Sequence, residues 1–464
     1  MADSPAPHGS VPQGPVTRRD FLRAAAIATP AVGALAGCLN AQKLPEPQAT
    51  RAAAPVAPAV AASPTGKIPG ANDRLRFAII GVGGNACGRG TDHLQNIMGK
   101  SKDAAMNVEM ALVCDIYDKH LDSAKRLGNC AGVREWERVI EDKNVDCVVI
   151  ATPDHWHAPM AIAAMKAGKD VYLEKPMTLT IEEARDVYRT SVATQRVLQV
   201  GVQGTSNGNI WGARELVQKG LLGKVLWSQT SYSRNSNEGE WNYPLHPEAS
   251  PSNIIWDRFL GSAQKRDFSP ERFFRWRKYW DYSGGVATDL HFHRLAPLHV
   301  ILGDEFPSRA VAAGGVYIQK DGREVPDTFM TTLEYPSGHF IVMSSSMAND
   351  VGLPMIIRGH EATLFFKEGD DVEFDGEAEF RSQEVAREKF RKAAGSDPLK
   401  VEPRKRAEHM QNFIECVRSR KVEDLNCPAR LGYQTMVGIK MGVDSFRTGR
   451  TVAWDAAKEE TRLV

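Results

Sequence analysis

The chain has 464 residues, 42% hydrophobic and 25% charged, which is ample for two or more cores. Lysine plus arginine total 58 against 57 acids, a formal net charge of +1 with no basic stripe, which excludes nucleic acid as an expected partner. Seven cysteines show neither a CxxC pair nor disulfide-framework spacing, and the main body lacks the roughly 18 consecutive apolar residues of a membrane span.

Residues 1–72 read as lying outside the fold. Thr17-Arg18-Arg19-Asp20-Phe21-Leu22-Arg23 has the form of a twin-arginine export signal, followed by a mildly apolar segment, residues 24–37. Leu35-Ala36-Gly37-Cys38 resembles a bacterial lipobox, so the signal is assigned to 1–38 with Cys38 as the lipidated residue. Residues 39–72 are Ala- and Pro-rich without periodicity and read as a disordered tether. The precursor is expected to engage the twin-arginine export machinery. The mature protein is expected in the periplasm, touching the membrane only through its lipid. Leu39 after Cys38, in place of Asp, favours the outer membrane.

From Leu75 the chain alternates apolar strands with helices. Strands are expected near 75–80, 108–114, 146–151, 170–174 and 197–200, with a short piece near Val133. Helices are expected near 87–98, 118–127, 135–142, 158–167 and 181–194. That alternation predicts a parallel sheet covered on both faces, an α/β Rossmann domain over 73–200. Its first turn carries the glycine pattern Gly81-x-Gly83-x-x-Ala86. Gly81 makes the tight turn, Gly83 admits a pyrophosphate, and Ala86 lets the helix pack on the sheet. Gly84 and Asn85 lie in the same turn, whose N–H groups would hold phosphate. Asp115 ends the second strand, where a carboxylate accepts both ribose hydroxyls and repels a 2′-phosphate. NAD is therefore the expected cofactor, with NADP as the alternative and a helix N-cap as the competing role for Asp115. The long spacing to Asp115 places an insertion at residues 99–106.

After Gly201 the texture changes. One helix at 213–219 and a strand at 225–233 precede a mostly irregular stretch, 234–288, crowded with Trp, Tyr, Arg and Pro. Strand-like runs follow at 309–316, 328–334, 339–346, 352–358 and 362–367. Residues 370–403 read as charged and irregular. Helices at 404–419 and 428–448 and a short strand at 452–454 close the chain. This predicts an α+β domain over 201–458 with an open, mostly antiparallel sheet.

Four landmarks then stand out: Gly81-Val82-Gly83; Ala151-Thr152-Pro153-Asp154-His155-Trp156-His157; Glu174-Lys175-Pro176; and Ser283-Gly284-Gly285-Val286-Ala287-Thr288-Asp289. With the tail Cys427-Pro428-Ala429-Arg430-Leu431-Gly432, they resemble the glucose–fructose oxidoreductase / inositol dehydrogenase / rhizopine catabolism (Gfo/Idh/MocA) family over roughly 73–458. The resemblance implies a dinucleotide domain followed by an open-sheet domain that holds a sugar or polyol and often builds homodimers or homotetramers. It places Thr152, Pro153, His157, Glu174 and Lys175 beside the cofactor, His157 near the nicotinamide ribose. It also implies that Lys175 holds a substrate hydroxyl, that His293 takes and returns its proton, and that Asp289 orients the substrate or Lys175. Asp289 and His293 are four apart, so a helical start presents both on one face.

The chain departs from the family where Ala296 replaces a frequent Asp, and His291 is an extra histidine. His155-x-His157 and His291-x-His293 are a candidate metal set only if they converge, and no metal is expected. The aromatic and Arg-rich run from Arg272 to Tyr282 suits either sugar rings or a packed loop. The resemblance thus implies a nicotinamide-dependent oxidoreductase acting on CH–OH groups of carbohydrates. Because free NAD is scarce outside the cytoplasm, the cofactor is expected to be held tightly and recycled. One alternative is NAD-dependent glycoside cleavage or epimerisation through transient oxidation. Another is a non-catalytic, cofactor-bearing sugar-binding protein.

Overall fold

Strands β1 (Leu75–Ile80), β2 (Val108–Cys114), β3 (Ala131–Val133), β4 (Cys147–Ile150), β5 (Asp170–Glu174) and β6 (Leu198–Gly201) form one sheet. Its order is β3-β2-β1-β4-β5-β6, and every pairing is parallel. The computed structural model describes residues 70, 73–83, 89–367 and 377–464, all within the unit Pro58–Val464. The sequence readings at Arg18, Arg19, Cys38, Gly84, Asn85 and Ala86 lie outside the described residues.

The crossovers are α1 (Gly90–Lys100), α2 (Asp118–Gly128), α3 (Trp136–Glu141), α4 (Asp154–Lys166) and α5 (Ile181–Thr194). Alternate β1 side chains enter different cores, as the two-residue period of a strand requires. Phe77 and Ile79 join Met410 and Phe413, while Ala78 and Ile80 join Met160 and Ile181. The C-terminal α11 (His409–Ser419) therefore covers one face of the first sheet. The strand order reverses between β1 and β4, so their carboxyl ends open a crevice of the kind that holds dinucleotides in this topology.

The second domain starts with α6 (Gly208–Gln218) and β7 (Val225–Thr230), then passes through two short helices, α7 (Trp256–Leu260) and α8 (Pro270–Phe274). A π-helical turn, Ala287–His291, runs directly into α9 (Phe292–Leu302). The sheet strands are β8 (Arg309–Gly315), β9 (Thr328–Glu334), β10 (Phe340–Ser346), β11 (Ile356–Gly359), β12 (Ala362–Phe366), β13 (Ala378–Ser382), β14 (Leu399–Lys400), β15 (Val452–Asp455) and β16 (Glu460–Leu463). With β7 they make a ten-stranded sheet, antiparallel except where β7 meets β10. Its inner residues, such as Leu333 and Ile341, are buried, while Val311, Met330 and Phe340 face outward and are exposed. The closing helix α12 (Ala429–Thr448) packs on both β8 and α5 and so ties the two domains. No helix among the described residues is long and apolar enough to cross a membrane.

The expectation for residues 370–403 needs correction. They contain β13, β14 and the helix α10 (Arg387–Ala394). Their inward residues Ala378, Phe380 and Phe390 are buried, but outward Glu, Lys and Arg dominate the composition and hide the pattern. The strand expected at 352–358 starts only at Ile356, and β16 was not foreseen.

Candidate active site

The turn after β1 is built by close approach. Gly81 has φ +85°, and a Cβ there would lie 2.7 Å from the Ala151 carbonyl oxygen. A Cβ on Gly90 would lie 1.9 Å from the Gly81 carbonyl oxygen. Gly90, the first residue of α1, thus packs tightly on this turn.

The Asp115 carboxylate accepts the Val82 N–H and the Tyr117 N–H, each at 2.9 Å. It therefore ties the glycine turn to the end of β2 and does not cap α2. A cleft opens here, lined by Gly81, Gly83, Asp115, Thr152 and Pro153 from the first domain and by Phe274 and Trp276 from the second. Five of the expected cofactor residues thus meet at one cavity. The arginines lining it are already paired, Arg134 with Asp118 at 3.2 Å and Arg258 with Glu137 at 2.7 Å. Neither offers an uncommitted charge to a 2′-phosphate, and with Asp115 this set fits NAD.

His157 and Glu174 brace the site from behind. The ring nitrogens of His157 lie 2.7 Å from the Pro176 carbonyl and 2.9 Å from the Thr152 carbonyl. Burial lowers its pKa, so the neutral ring has one N–H and donates to only one of these two carbonyls while packing between the Thr152 turn and the Lys175-Pro176 turn. His157, expected near the nicotinamide ribose, is buried behind the Thr152 turn. Glu174 accepts from His93 Nε2 at 2.7 Å and from the Lys175 N–H at 3.2 Å. Burial pushes Glu174 up, but the His93 bond and charge outweigh it and hold the carboxyl at about 2.

Lys175, Asp289 and His293 do come together, beyond the Thr152–Pro153 and Trp276 edge of the cleft. Lys175 Nζ donates to Asp289 Oδ1 at 2.6 Å and to the Asp289 carbonyl at 3.1 Å. Arg277 Nε donates to the same Oδ1 at 3.2 Å. Burial pushes the Asp289 carboxyl up, but Lys175 and Arg277 outweigh it and keep the group ionised, far below the usual carboxylate range. Burial and then Lys175 hold the His293 imidazole neutral, well below its ordinary value. The His293 ring meets the Tyr232 ring edge-on at 5.8 Å, and the residue keeps part of its surface open. Asp289 sits in the π-helical turn and His293 in the first turn of α9. Such turns occur frequently at functional sites.

Three neighbours were missed in the sequence. Asp154, first in α4, is fully buried, and its Oδ2 has no hydrogen-bond partner. Burial, with Arg277 opposing and Asp289 adding, raises its pKa to about 8. Arg277 and Arg234 complete the surroundings of Asp289. Asp154 stands in a motif and Arg277 in the aromatic run, but only tertiary packing shows that both face Asp289.

The candidate metal pairs do not converge. His155 Nε2 lies 2.7 Å from the Phe259 carbonyl, and His291 Nε2 lies 2.9 Å from Ser345 Oγ. Among the described residues no three His, Cys, Asp or Glu cluster as ligands. The aromatic run is not a sugar platform either. Phe273, Phe274, Trp276, Tyr279 and Tyr282 are buried in one cluster with Tyr117 and Ile254. They form a wall joined to the first domain by the Ile255–Ile116 and Asp118–Asn253 backbone bonds.

The site can be set beside known proteins. The chain is 30% identical over 244 residues to an alpha-N-acetylgalactosaminidase of Tannerella forsythia, covering 50% of this chain and 48% of that one. It is 30% identical over 241 residues to a glycosyl hydrolase family 109 protein of Parabacteroides distasonis, covering 50% and 47%. The chain thus spans about half the length of the curated relatives it matches. The fold is shared with the WlbA dehydrogenase from Bordetella pertussis in complex with NADH and UDP-GlcNAcA, at 18% identity and TM-score 0.60, covering 82% of this chain and 99% of that one. It is shared likewise with levoglucosan dehydrogenase in complex with NADH and levoglucosan, at 19% identity and TM-score 0.60, covering 84% and 99%. Residues 75–202 match the model "Oxidoreductase family, NAD-binding Rossmann fold", and residues 214–454 match "Oxidoreductase family, C-terminal alpha/beta domain". The second match alone takes in more than half of the residues, and the chain belongs to the Gfo/Idh/MocA oxidoreductase family.

Proposed function

We propose that the protein is an oxidoreductase acting on a sugar, sugar derivative or polyol with a tightly held NAD. The observation that carries this reading is the Lys175–Asp289 pair at 2.6 Å, with a neutral His293 in its field, joined through Arg277 to Trp276 on the wall of the cleft. When bound, NAD supplies the hydride acceptor. Gly81, Gly83, Asp115, Thr152 and Pro153 would hold it. Asp289 fixes the Lys175 ammonium, which orients a substrate hydroxyl. The neutral His293 ring has a lone pair for that hydroxyl proton and returns it later.

A second reading is favoured by the glycosidase relatives, which match at 30% identity over half of the chain. In it the same residues cleave or epimerise a sugar with no net redox change. Sugars added singly and in pairs to the purified holoprotein separate the two. Net oxidation leaves a lasting reduced-nicotinamide absorbance that a second carbonyl compound discharges. Transient oxidation leaves little absorbance while cleaved or epimerised sugar accumulates. No absorbance change and no product with any sugar would refute both.

We also propose export through Arg18-Arg19 and lipidation at Cys38, supported by those motifs alone. A radioactive fatty acid should label the wild type and not Cys38→Ala, and an Arg18→Lys/Arg19→Lys variant should stay in the cytoplasm. Equal labelling of wild type and Cys38→Ala would remove the anchor. The exposed sheet face supports self-association, and sedimentation at the monomer mass would argue against it.

A further inference from the structure

Three cations gather at the Asp289 carboxylate, and one of them, Arg234, stays partly open. Two cations, Lys175 and Arg277, share a single oxygen of Asp289, at 2.6 and 3.2 Å. The Arg277 Nη1 is buried without a hydrogen-bond partner. A third cation, Arg234, lies a few residues past β7. One of its Nη atoms meets the Tyr232 hydroxyl, and the other is 3.7 Å from Glu240. Tyr232 in turn packs against His293, which places Arg234 beside the proton-handling group. Arg234 also helps hold Asp289 ionised and His293 neutral, so its field reaches both.

Counted as charges, Lys175, Arg277 and Arg234 face Asp289, Glu240 and Glu174, the last of which also acts on His293. Asp154 adds no charge below about pH 8, because burial keeps it protonated. These charges balance, so a preference for an anion rests on the open guanidinium of Arg234. Unlike Arg277, the Arg234 side chain is 38% exposed, and one hydrogen bond leaves most of its five N–H donors free. A planar guanidinium in that state matches a carboxylate, sulfate or phosphate in paired fashion.

We propose that the substrate is an anionic sugar, a uronate or a sugar bearing a sulfate or phosphate ester, whose charged group is held by the Arg234 guanidinium beside Tyr232 and His293. This rests on the reading of the site as sugar-binding, and it makes Arg234 the residue that sets substrate charge.

The test is equilibrium binding by calorimetry to the purified holoprotein, with reduced-nicotinamide absorbance recorded on the same samples. The probes are D-glucose and D-galactose, the two corresponding hexuronates, and their 6-sulfates and 6-phosphates. At least one anionic probe should bind about ten-fold or more tightly than its neutral parent, with an affinity that falls as salt rises. The Arg234→Gln variant should lower that affinity about 10- to 100-fold and shrink the advantage over the neutral parent, as loss of a charged hydrogen bond implies. Which ester or acid wins identifies the source of the anion. The wild-type comparison stands even where the variant fails to fold. Neutral sugars binding as tightly as every anionic probe, or no probe binding, would overturn the proposal. Anion-selective binding without cofactor reduction or product keeps the anion site and removes the oxidoreductase reading. Reduction by neutral sugars alone does the reverse.

Discussion

Asp289 accepts from both Lys175 and Arg277, so its role is to fix cations, while His293 is left to carry the proton. Neither Lys175 nor His293 lies in the glycine turn or lines the cleft that would hold NAD. Lys175→Ala and His293→Ala should therefore lower kcat by roughly 10²–10⁴-fold while bound cofactor is retained. Turnover of the true sugar and mass spectrometry of the released cofactor check the two halves of that statement. Full turnover in both variants would place the chemistry elsewhere. The pH profile adds a further readout. A base works while deprotonated, and His293 is held well below its ordinary 6.5. The wild-type rate should stay flat down through pH 6.5 and fall only at lower pH. An acid limb centred at 6.5 would show that His293 titrates as an exposed imidazole and does not sit in the field of Lys175.

At the level of elements, the junction of β1 and α1 is the tightest point of the cofactor turn. Gly90→Ala would set a methyl 1.9 Å from a backbone oxygen, which cannot move aside as a side chain can. Overpacking of this kind costs about 1–3 kcal/mol. The variant should melt earlier and be purified with less cofactor than wild type, and unchanged cofactor content would show that the turn does not hold it. This junction also marks what was readable beforehand. Buried strands such as 147–150 and 170–174 are continuous apolar or near-apolar runs, so the parallel domain was legible from pattern alone. The region of β13 and α10 was not, since its few buried residues are spaced among charges. The Lys175, Asp289 and His293 set was legible through motif resemblance. Asp154, Arg277 and Arg234 were not, because no motif links them to the set: Arg277 reaches Asp289 across 12 positions of irregular chain, and Asp154 meets Arg277 only through tertiary packing. The aromatic run was visible in composition, but its place as a wall against Tyr117 follows only from the Ile255–Ile116 contact.

Across the whole molecule, buried histidines set the response to acid. His155, His291, His299 and His409 are buried in different parts of the structure, and burial lowers their pKa values from 6.5 to about 4, 3, 3 and 4. The unfolded chain takes up their protons as pH falls through 6.5, and the folded chain does not until near pH 4. Stability is then lost progressively across that window, at about 1.4 kcal/mol per pH unit for each proton of difference. Asp154 acts in the opposite sense. Its carboxyl is raised from 3.8 to about 8, so the folded state holds a proton that the unfolded state has released. Its contribution is complete below pH 3.8 and lost as pH rises through about 8. Wild type should therefore melt at falling temperature from pH 6.5 downward. Asp154→Asn, which cannot ionise, should gain on wild type steadily from about pH 4 to about pH 8. Thermal melts of both proteins across that range test the pair of slopes. A difference between them that stays constant with pH would mean that Asp154 is ionised in the folded protein, with its charge compensated by Arg277.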